Sequence, residues 1–393
     1  MESSSLSWMK DELQALEAKS RRRSLVISEP LESGWMLRDG RRMLNLASND
    51  YLGLAARNDR AERSLGANRG ASRGAGASRL VTGTGVEVAE LEEQFAAYKG
   101  TEGCLLFGSG YMANIGVIPA VVGRDDVVFS DRLNHASIVD GIVLSRAELR
   151  RYRHRDTNQL EDMLKAASSS KRKLIVTDSI FSMDGTIAPL RELVWLKERY
   201  GAMLMVDEAH SGGLYGTTGQ GLIHELGLTE QVELQMGTFS KAYGAYGAYV
   251  AGSMMVKESL INQARSFIYS TALPPQLIVT IREHWIEVKA ASLAREQLQY
   301  KAAFVRDSLR DRGVQVGLSE CHIIPVIVGS DANAVRMADR LQQLGIAAVA
   351  IRPPTVPEGT ARIRLTLMSE HAMDDLRWAV EQIAACVAEG EAD

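Results

Sequence analysis

The chain has 393 residues, 46% of them apolar and 24% charged, the proportions of an ordinary globular protein with more chain than one core absorbs. Lysine and arginine number 45 against 49 aspartates and glutamates, and the net charge of −4 gives no reason to expect nucleic acid or an anionic membrane as partner. Three scattered cysteines, Cys104, Cys321 and Cys386, form neither a disulfide framework nor a paired-cysteine metal site, so no metal is expected and a reducing, cytoplasmic setting is.

The N-terminal stretch MESSSLSWMKDEL lacks the basic start and apolar run of a signal peptide. Leu6, Met9, Leu13 and Leu16 recur at three- and four-residue spacing, which predicts an amphipathic helix over 6–19, followed by the cluster Arg21-Arg22-Arg23. From residue 45 to about 275, short apolar runs alternate with helical stretches. CLLF (104–107), VVF (127–129), LIVTD (174–178), AMLMVD (202–207), LQMG (234–237) and AYVAG (248–252) are the expected strands. Their apolar residues do not alternate with polar ones, which points to strands buried on both faces of a largely parallel sheet. Residues 104–123 carry no charge and are long enough to span a bilayer, but their glycines, Asn114 and Pro119 read as a strand, a turn and a helix. A long helix is expected over about 276–310. IIPVIVG (323–329), IAAVAI (346–351) and RIRLTL (362–367) then read as strands of a smaller α+β domain. The expected organisation is an N-terminal helix and arm (1–45), a large α/β domain (46–275) and a small C-terminal domain (276–393).

In such sheets ligands sit at the carboxyl ends of the strands. Asp207-Glu208-Ala209-His210 spells DEAH, but the NTPase it suggests needs a lysine-bearing phosphate loop, and the chain contains no Gly-Lys dipeptide. Gly83-Thr84-Gly85 lacks the third glycine of a dinucleotide fingerprint, and HExxH and GxSxG are absent. What remains sits at strand ends. Asp207 ends AMLMVD with His210 three residues on, and Lys241 follows LQMGTFS. Gly108-Ser109-Gly110-Tyr111 follows CLLF and opens a helix, and Asn134-His135-Ala136-Ser137 follows VVFSD. Together these meet the needs of pyridoxal phosphate. A lysine must form a Schiff base with its aldehyde. A carboxylate must face the pyridine nitrogen and keep it protonated. A flat side chain should cover the ring, for which His135 is the candidate, and a helix start must take the phosphate, which Gly110 and Tyr111 would provide. Singly, the lysine reads as a surface charge, the aspartate as a cap and the histidines as core residues; their conjunction at successive strand ends is what points to this chemistry.

VDEAHSGGLYG, GTFSKAYGAYGAYVAG, SNDYLGLA, NHASIVDG and FSMDG resemble the α-oxoamine synthases, pyridoxal phosphate enzymes of fold type I that join an amino acid to an acyl-CoA thioester and release CO2. Within that family SRLVTGT (78–84), FIYSTALPP (267–275) and IRPPTVPEGTARIRLTL (351–367) are similar to the member that condenses L-alanine with a pimeloyl thioester in biotin biosynthesis. The resemblance covers about residues 8–385. It implies a large domain with a mostly parallel sheet and a smaller α+β domain. It implies Lys241 as the Schiff-base lysine and base, Asp207 at the pyridine nitrogen, His210 and Ser182 at the ring hydroxyl and Thr238 at the phosphate. His135 would stack on the ring and act as acid on the new carbonyl. Asn49 and Arg364 match positions near the amino-acid carboxylate, and Thr355 matches a substrate contact. One of Arg21 to Arg23 should meet the far carboxylate of the pimeloyl chain; the alignment slips between them, and Arg23 is favoured. The family also implies a homodimer with shared active sites, in which Ser270 and Thr271 reach the partner's phosphate. Whether the acyl group arrives on coenzyme A or on an acyl carrier protein stays open. The rival readings are a sibling such as glycine C-acetyltransferase and, more remotely, a pyridoxal phosphate aminotransferase.

Overall fold

In the computed structural model, which describes residues 4–56, 74–167 and 172–391, the N-terminal helix forms over Ser7–Ala18. Its apolar stripe is outward: Leu6, Met9, Leu13 and Leu16 are each at least 40% exposed. Three strands follow, β1 (Ser28–Pro30), β2 (Trp35–Arg38) and β3 (Arg41–Asn45), paired as an antiparallel meander. The expected central strands then form as β4 (Gly103–Phe107), β5 (Val127–Asp131), β7 (Lys173–Asp178), β8 (Met203–Asp207), β9 (Leu234–Thr238) and β10 (Ala248–Gly252). The sequence pattern missed β6 (Glu148–Tyr152), whose ELRRY has no apolar run because it is a partly exposed edge strand. The uncharged stretch 104–123 is the strand β4 and the helix Gly110–Val121, and no helix among the described residues is long and apolar enough to cross a membrane.

The seven strands lie in the order β4-β10-β9-β8-β7-β5-β6. Pairing is parallel from β9 through β8, β7 and β5 to β6, while β10 runs antiparallel to both β9 and β4. Leu105, Val128, Val176, Met205, Met236 and Val250 from the strands pack with Val117, Ile118, Ile138 and Ile142 from helices into one apolar cluster, so strands buried on both faces are what the unbroken apolar runs encode. Parallel pairing sends the carboxyl ends of β5, β7, β8 and β9 to one edge of the sheet. Asp178 and Asp207 are register partners at that edge.

The remaining strands are β11 (Ile323–Gly329), β12 (Ile346–Ala347), β13 (Val349–Ile351) and β14 (Ala361–Thr366). The single expected strand 346–351 is thus two: β12 pairs in parallel with β3, and β13 pairs with β14 in a three-stranded sheet β11-β14-β13. The expected long helix is also two, Pro275–Ala290 and Ser292–Asp311, broken at Ala291 (φ −85°, ψ 35°).

Two compact units result: residues 57–182 with 187–295, and residues 1–56 with 183–186 and 296–393. This differs from the expected division into 1–45, 46–275 and 276–393. The N-terminal arm is not separate, because β3 takes Ile346 and Ala347 as backbone partners opposite Leu44 and Asn45. The helix Pro275–Ala290 belongs with the larger sheet, where Ile278, Ile281 and Val288 are buried.

Candidate active site

A cavity of ≈ 190 Å³ opens at the strand ends of the larger unit. Gly110, Tyr111 and His135 line it, with Ser182, Asp207 and His210, and Thr238 and Lys241 close the set. They arrive from five strand-end turns, Gly110 with Tyr111, Asp207 with His210 and Thr238 with Lys241 each sharing one. β8 ends on Asp207. Lys241 lies in the loop from β9 back to β10, so the one antiparallel reversal of the sheet carries the lysine.

The helix Gly110–Val121 points its start at the cavity. Ser109 caps it by accepting from the Met112 N–H at 3.2 Å, and the N–H groups of the first turn have no intrahelical partner. A Cβ on Gly110 would stand 3.8 Å from Met236 and from Thr238, so a glycine keeps the space between helix start and β9 open.

Asp207 is 4% exposed. Its Oδ1 accepts from the Ala209 N–H at 2.9 Å and its Oδ2 from Asn114 Nδ2 at 3.0 Å, so the carboxylate cannot rotate without breaking one bond. Beside it, Asp178 Oδ2 accepts from the His135 N–H at 2.9 Å. Burial and the neighbouring Asp207 charge push the Asp178 carboxyl well above the usual carboxylate range. His135 presents its ring to the cavity. Loss of surrounding water holds its imidazole below the ordinary value of 6.5, Lys241 adds to this, and the Asp207 and Asp140 charges oppose it.

Behind the site, the DEAH glutamate is structural. Lys99 Nζ donates to Glu208 Oε2 at 2.5 Å and to the Gln220 carbonyl at 2.5 Å, and both side chains are fully buried. Glu208 Oε1 accepts from the Ile223 N–H at 2.9 Å and from Ser211 Oγ at 3.2 Å. Gly221, at φ +118°, passes so close that a Cβ would stand 2.4 Å from that oxygen.

Ser270 and Thr271 do not enter this cavity. They line a smaller one with Arg79, Gly108 and Phe267, and Thr271 is exposed beside its bridge partner Ser78. Asn49, Thr355, Arg364 and the arginine cluster belong to the other unit. There Arg364 Nη2 donates to Asn49 Oδ1 at 3.1 Å, the Tyr51 hydroxyl donates to the same oxygen at 3.1 Å, and Thr355 is exposed. Next to Asn49, burial pushes the Asp50 carboxyl up from 3.8 to about 6; its Oδ2 accepts from the Ala55 N–H at 3.0 Å while its Oδ1 is buried without a partner.

The three arginines are now distinguishable. Arg21 is clamped by Asp331 and Glu358, each at 2.6 Å, and Arg22 meets Glu17 at 3.2 Å. Arg23 is exposed, and its charge, after burial, helps to lower the pKa of Arg352. The sequence reading passed over Asn114, Ser137, Asp178 and Ser240, which line the cavity too. Ser240 is tied to Thr238: Thr238 Oγ1 donates to the Gly247 carbonyl at 2.8 Å and, with its one hydrogen so committed, accepts from the Ser240 hydroxyl at 2.8 Å and from the Ser240 N–H at 3.2 Å.

The family description aminotransferase class I and II matches residues 41–383. A protein of Bacillus cereus (strain Q1) named "Putative 8-amino-7-oxononanoate synthase" is 50% identical over 383 residues, 98% of this chain and 97% of its own. One of the same name from Bacillus thuringiensis subsp. konkukian is 49% identical, again over 98% and 97%. Among solved structures, serine palmitoyltransferase from S. paucimobilis with a bound PLP–myriocin aldimine superposes with a TM-score of 0.91 at 28% identity, covering 99% of both chains. The 8-amino-7-oxononanoate synthase of Francisella tularensis gives 0.77 at 28% identity, over 88% of this chain and 98% of its own.

Proposed function

The chain belongs to the class I and II aminotransferase family and, within it, to the α-oxoamine synthases, enzymes of fold type I that use pyridoxal phosphate; from that premise we propose that it condenses L-alanine with a pimeloyl thioester to give 8-amino-7-oxononanoate, carbon dioxide and the free thiol. The observation that carries the reading is the single cavity that holds Lys241, Asp207, His135 and a capped helix start. Its donor set fits the cofactor: a carboxylate fixed by two hydrogen bonds for a pyridinium nitrogen, an amine for an aldehyde, and free N–H groups for a phosphate.

When bound, pyridoxal phosphate draws electrons from the amino acid's α-carbon. The rest is the work of the chain's own groups. Lys241 Nζ holds the cofactor and then takes the α-proton of alanine. Asp207 keeps a proton on the ring nitrogen. Gly110 and Tyr111 N–H groups, with Thr238, receive the phosphate, and His210 and Ser182 orient the ring hydroxyl. His135 covers the ring and donates to the carbonyl oxygen that forms. Arg364 and Asn49 take the alanine carboxylate, and Thr355 contacts substrate. The acyl chain's far carboxylate needs a cation, since burying it alone costs several kcal/mol; Arg23 serves, because Arg21 is already held by two carboxylates. The enzyme works as a homodimer, with Ser270 and Thr271 serving the phosphate of the partner subunit. Their separation from the Lys241 cavity supports that arrangement.

The test is thiol release from the purified protein given L-alanine or glycine with pimeloyl- or acetyl-CoA. A preference for L-alanine with pimeloyl-CoA is expected, with borohydride trapping the cofactor on Lys241. Turnover of glycine with acetyl-CoA alone would reassign the enzyme to its sibling. The higher TM-score of serine palmitoyltransferase favours a second reading, a longer acyl chain, which a serine and palmitoyl-CoA arm addresses.

A further inference from the structure

Asn114 lies in the helix Gly110–Val121, is 1% exposed and aims its amide at two acceptors. One Nδ2 hydrogen goes to Asp207 Oδ2 at 3.0 Å, and the other goes to Ser137 Oγ at 2.9 Å. The opposite amide orientation would set Oδ1 against a carboxylate oxygen, so the nitrogen must face Asp207. The cost is visible on the other side, where Asn114 Oδ1 is buried without a partner. The position is therefore built for its two donors.

The second donor has a consequence one bond further on. Ser137 Oγ, which accepts from Asn114, lies 2.7 Å from His135 Nδ1. The Ser137 N–H also points at that nitrogen, at 3.3 Å, so that His135 caps the helix Ala136–Ser145 with its own ring. With that N–H aimed at it, Nδ1 is an acceptor, which leaves the Ser137 hydroxyl to donate to it as well.

We infer that Asn114 is a positioning residue that couples Asp207 to His135 through Ser137, and that this chain fixes His135 as the neutral tautomer with its proton on Nε2. The ring nitrogen that is not tied to Ser137 is thus a donor. It hydrogen-bonds to an anionic substrate oxygen, a carboxylate or the oxygen of the carbonyl being formed, and it cannot compete with Lys241 for the substrate's proton. The lowered basicity of the His135 ring agrees with a neutral imidazole, although Asp207 and Asp140 face it with opposing charge. This assignment rests on the proposed reaction for its purpose but not for its geometry.

The experiment is nitrogen-15 magnetic resonance of the full-length protein labelled at histidine, recorded with pyridoxal phosphate loaded and again after its removal. A His135→Asn sample assigns the signals. In the wild type, Nδ1 should resonate as an unprotonated acceptor and Nε2 as a protonated nitrogen in both samples. Ser137→Ala removes one hydrogen bond to Nδ1 and should move the tautomer ratio about fivefold toward Nδ1–H. Asn114→Leu, of similar size, should move it in the same direction without touching the imidazole. A wild-type signal showing Nδ1–H would overturn the inference, and so would variants that lose stability with the ratio unchanged. If Asn114→Leu does not fold, the wild type and Ser137→Ala still decide. Failure of the protein to take up pyridoxal phosphate would instead refute the proposed function and leave the tautomer result standing.

Discussion

Replacing Lys99 by methionine removes one charge from a fully buried pair and leaves the chain length nearly unchanged. Glu208 would then keep its Ile223 and Ser211 donors but lose the ammonium 2.5 Å from Oε2, and the Gln220 carbonyl would lose its partner as well. A carboxylate stranded in this way costs about 3–5 kcal/mol. Adding Glu208→Gln removes the second charge while keeping an oxygen for the Ile223 N–H. The double variant should recover at least half of the loss, about 2 kcal/mol. Urea unfolding of the three full-length proteins, followed by ellipticity at one pH, reads these differences. The loop held by Glu208 carries His210 at the cavity, so pyridoxal phosphate uptake should weaken in Lys99→Met and return in the double variant. A Lys99→Met protein within 1 kcal/mol of wild type, or a double variant less stable than the single one, would refute the reasoning.

Asp207→Asn keeps the shape of the side chain but removes its charge; if two pKa units of support for the ring nitrogen are lost, turnover falls by roughly 2.7 kcal/mol, about a hundredfold, and a variant within threefold of wild type in thiol release would show that the nitrogen is held some other way. Arg23→Ala should weaken use of pimeloyl-CoA and spare alanine binding, whereas Arg21→Ala, which strands Asp331 and Glu358, should lower thermal stability; equal loss for both substrates in Arg23→Ala argues against the acyl role. Asp50 has a folded pKa of about 6 against 3.8, so its ionisation opposes folding: the wild type loses up to about 3 kcal/mol as pH rises through that window. Asp50→Asn should therefore match wild type near pH 4 and gain stability above pH 6 in urea titrations, and a gain independent of pH would sink the assignment.

The chemistry was legible because each motif residue sits at the carboxyl end of a strand, and strands buried on both faces announce themselves as unbroken apolar runs. β6 did not, since an edge strand such as ELRRY needs no apolar run. Asn114 was passed over for a related reason. Inside GYMANIGVIPAV it is a lone polar residue in an apolar helix, and only its position four residues past Gly110 hinted that it shares the cavity. The break at Ala291 carries neither glycine nor proline, the usual signs by which a pattern shows where one helix stops. The link of β3 to β12 is two residues long, too short for any periodicity to record.

That short link sets an order of assembly. Leu44 and Ile346 are about 300 residues apart in the chain, and the loop-closure entropy of joining them grows with that length. During synthesis β3 must wait for its β12 partner until residues 346 and 347 have followed. The larger sheet draws on residues 103–252 and can close long before. A chain cut short before residue 346 would therefore hold a complete large sheet together with a β1–β3 meander whose β3 edge has lost its β12 partner, an unpaired edge open to association with a second such chain.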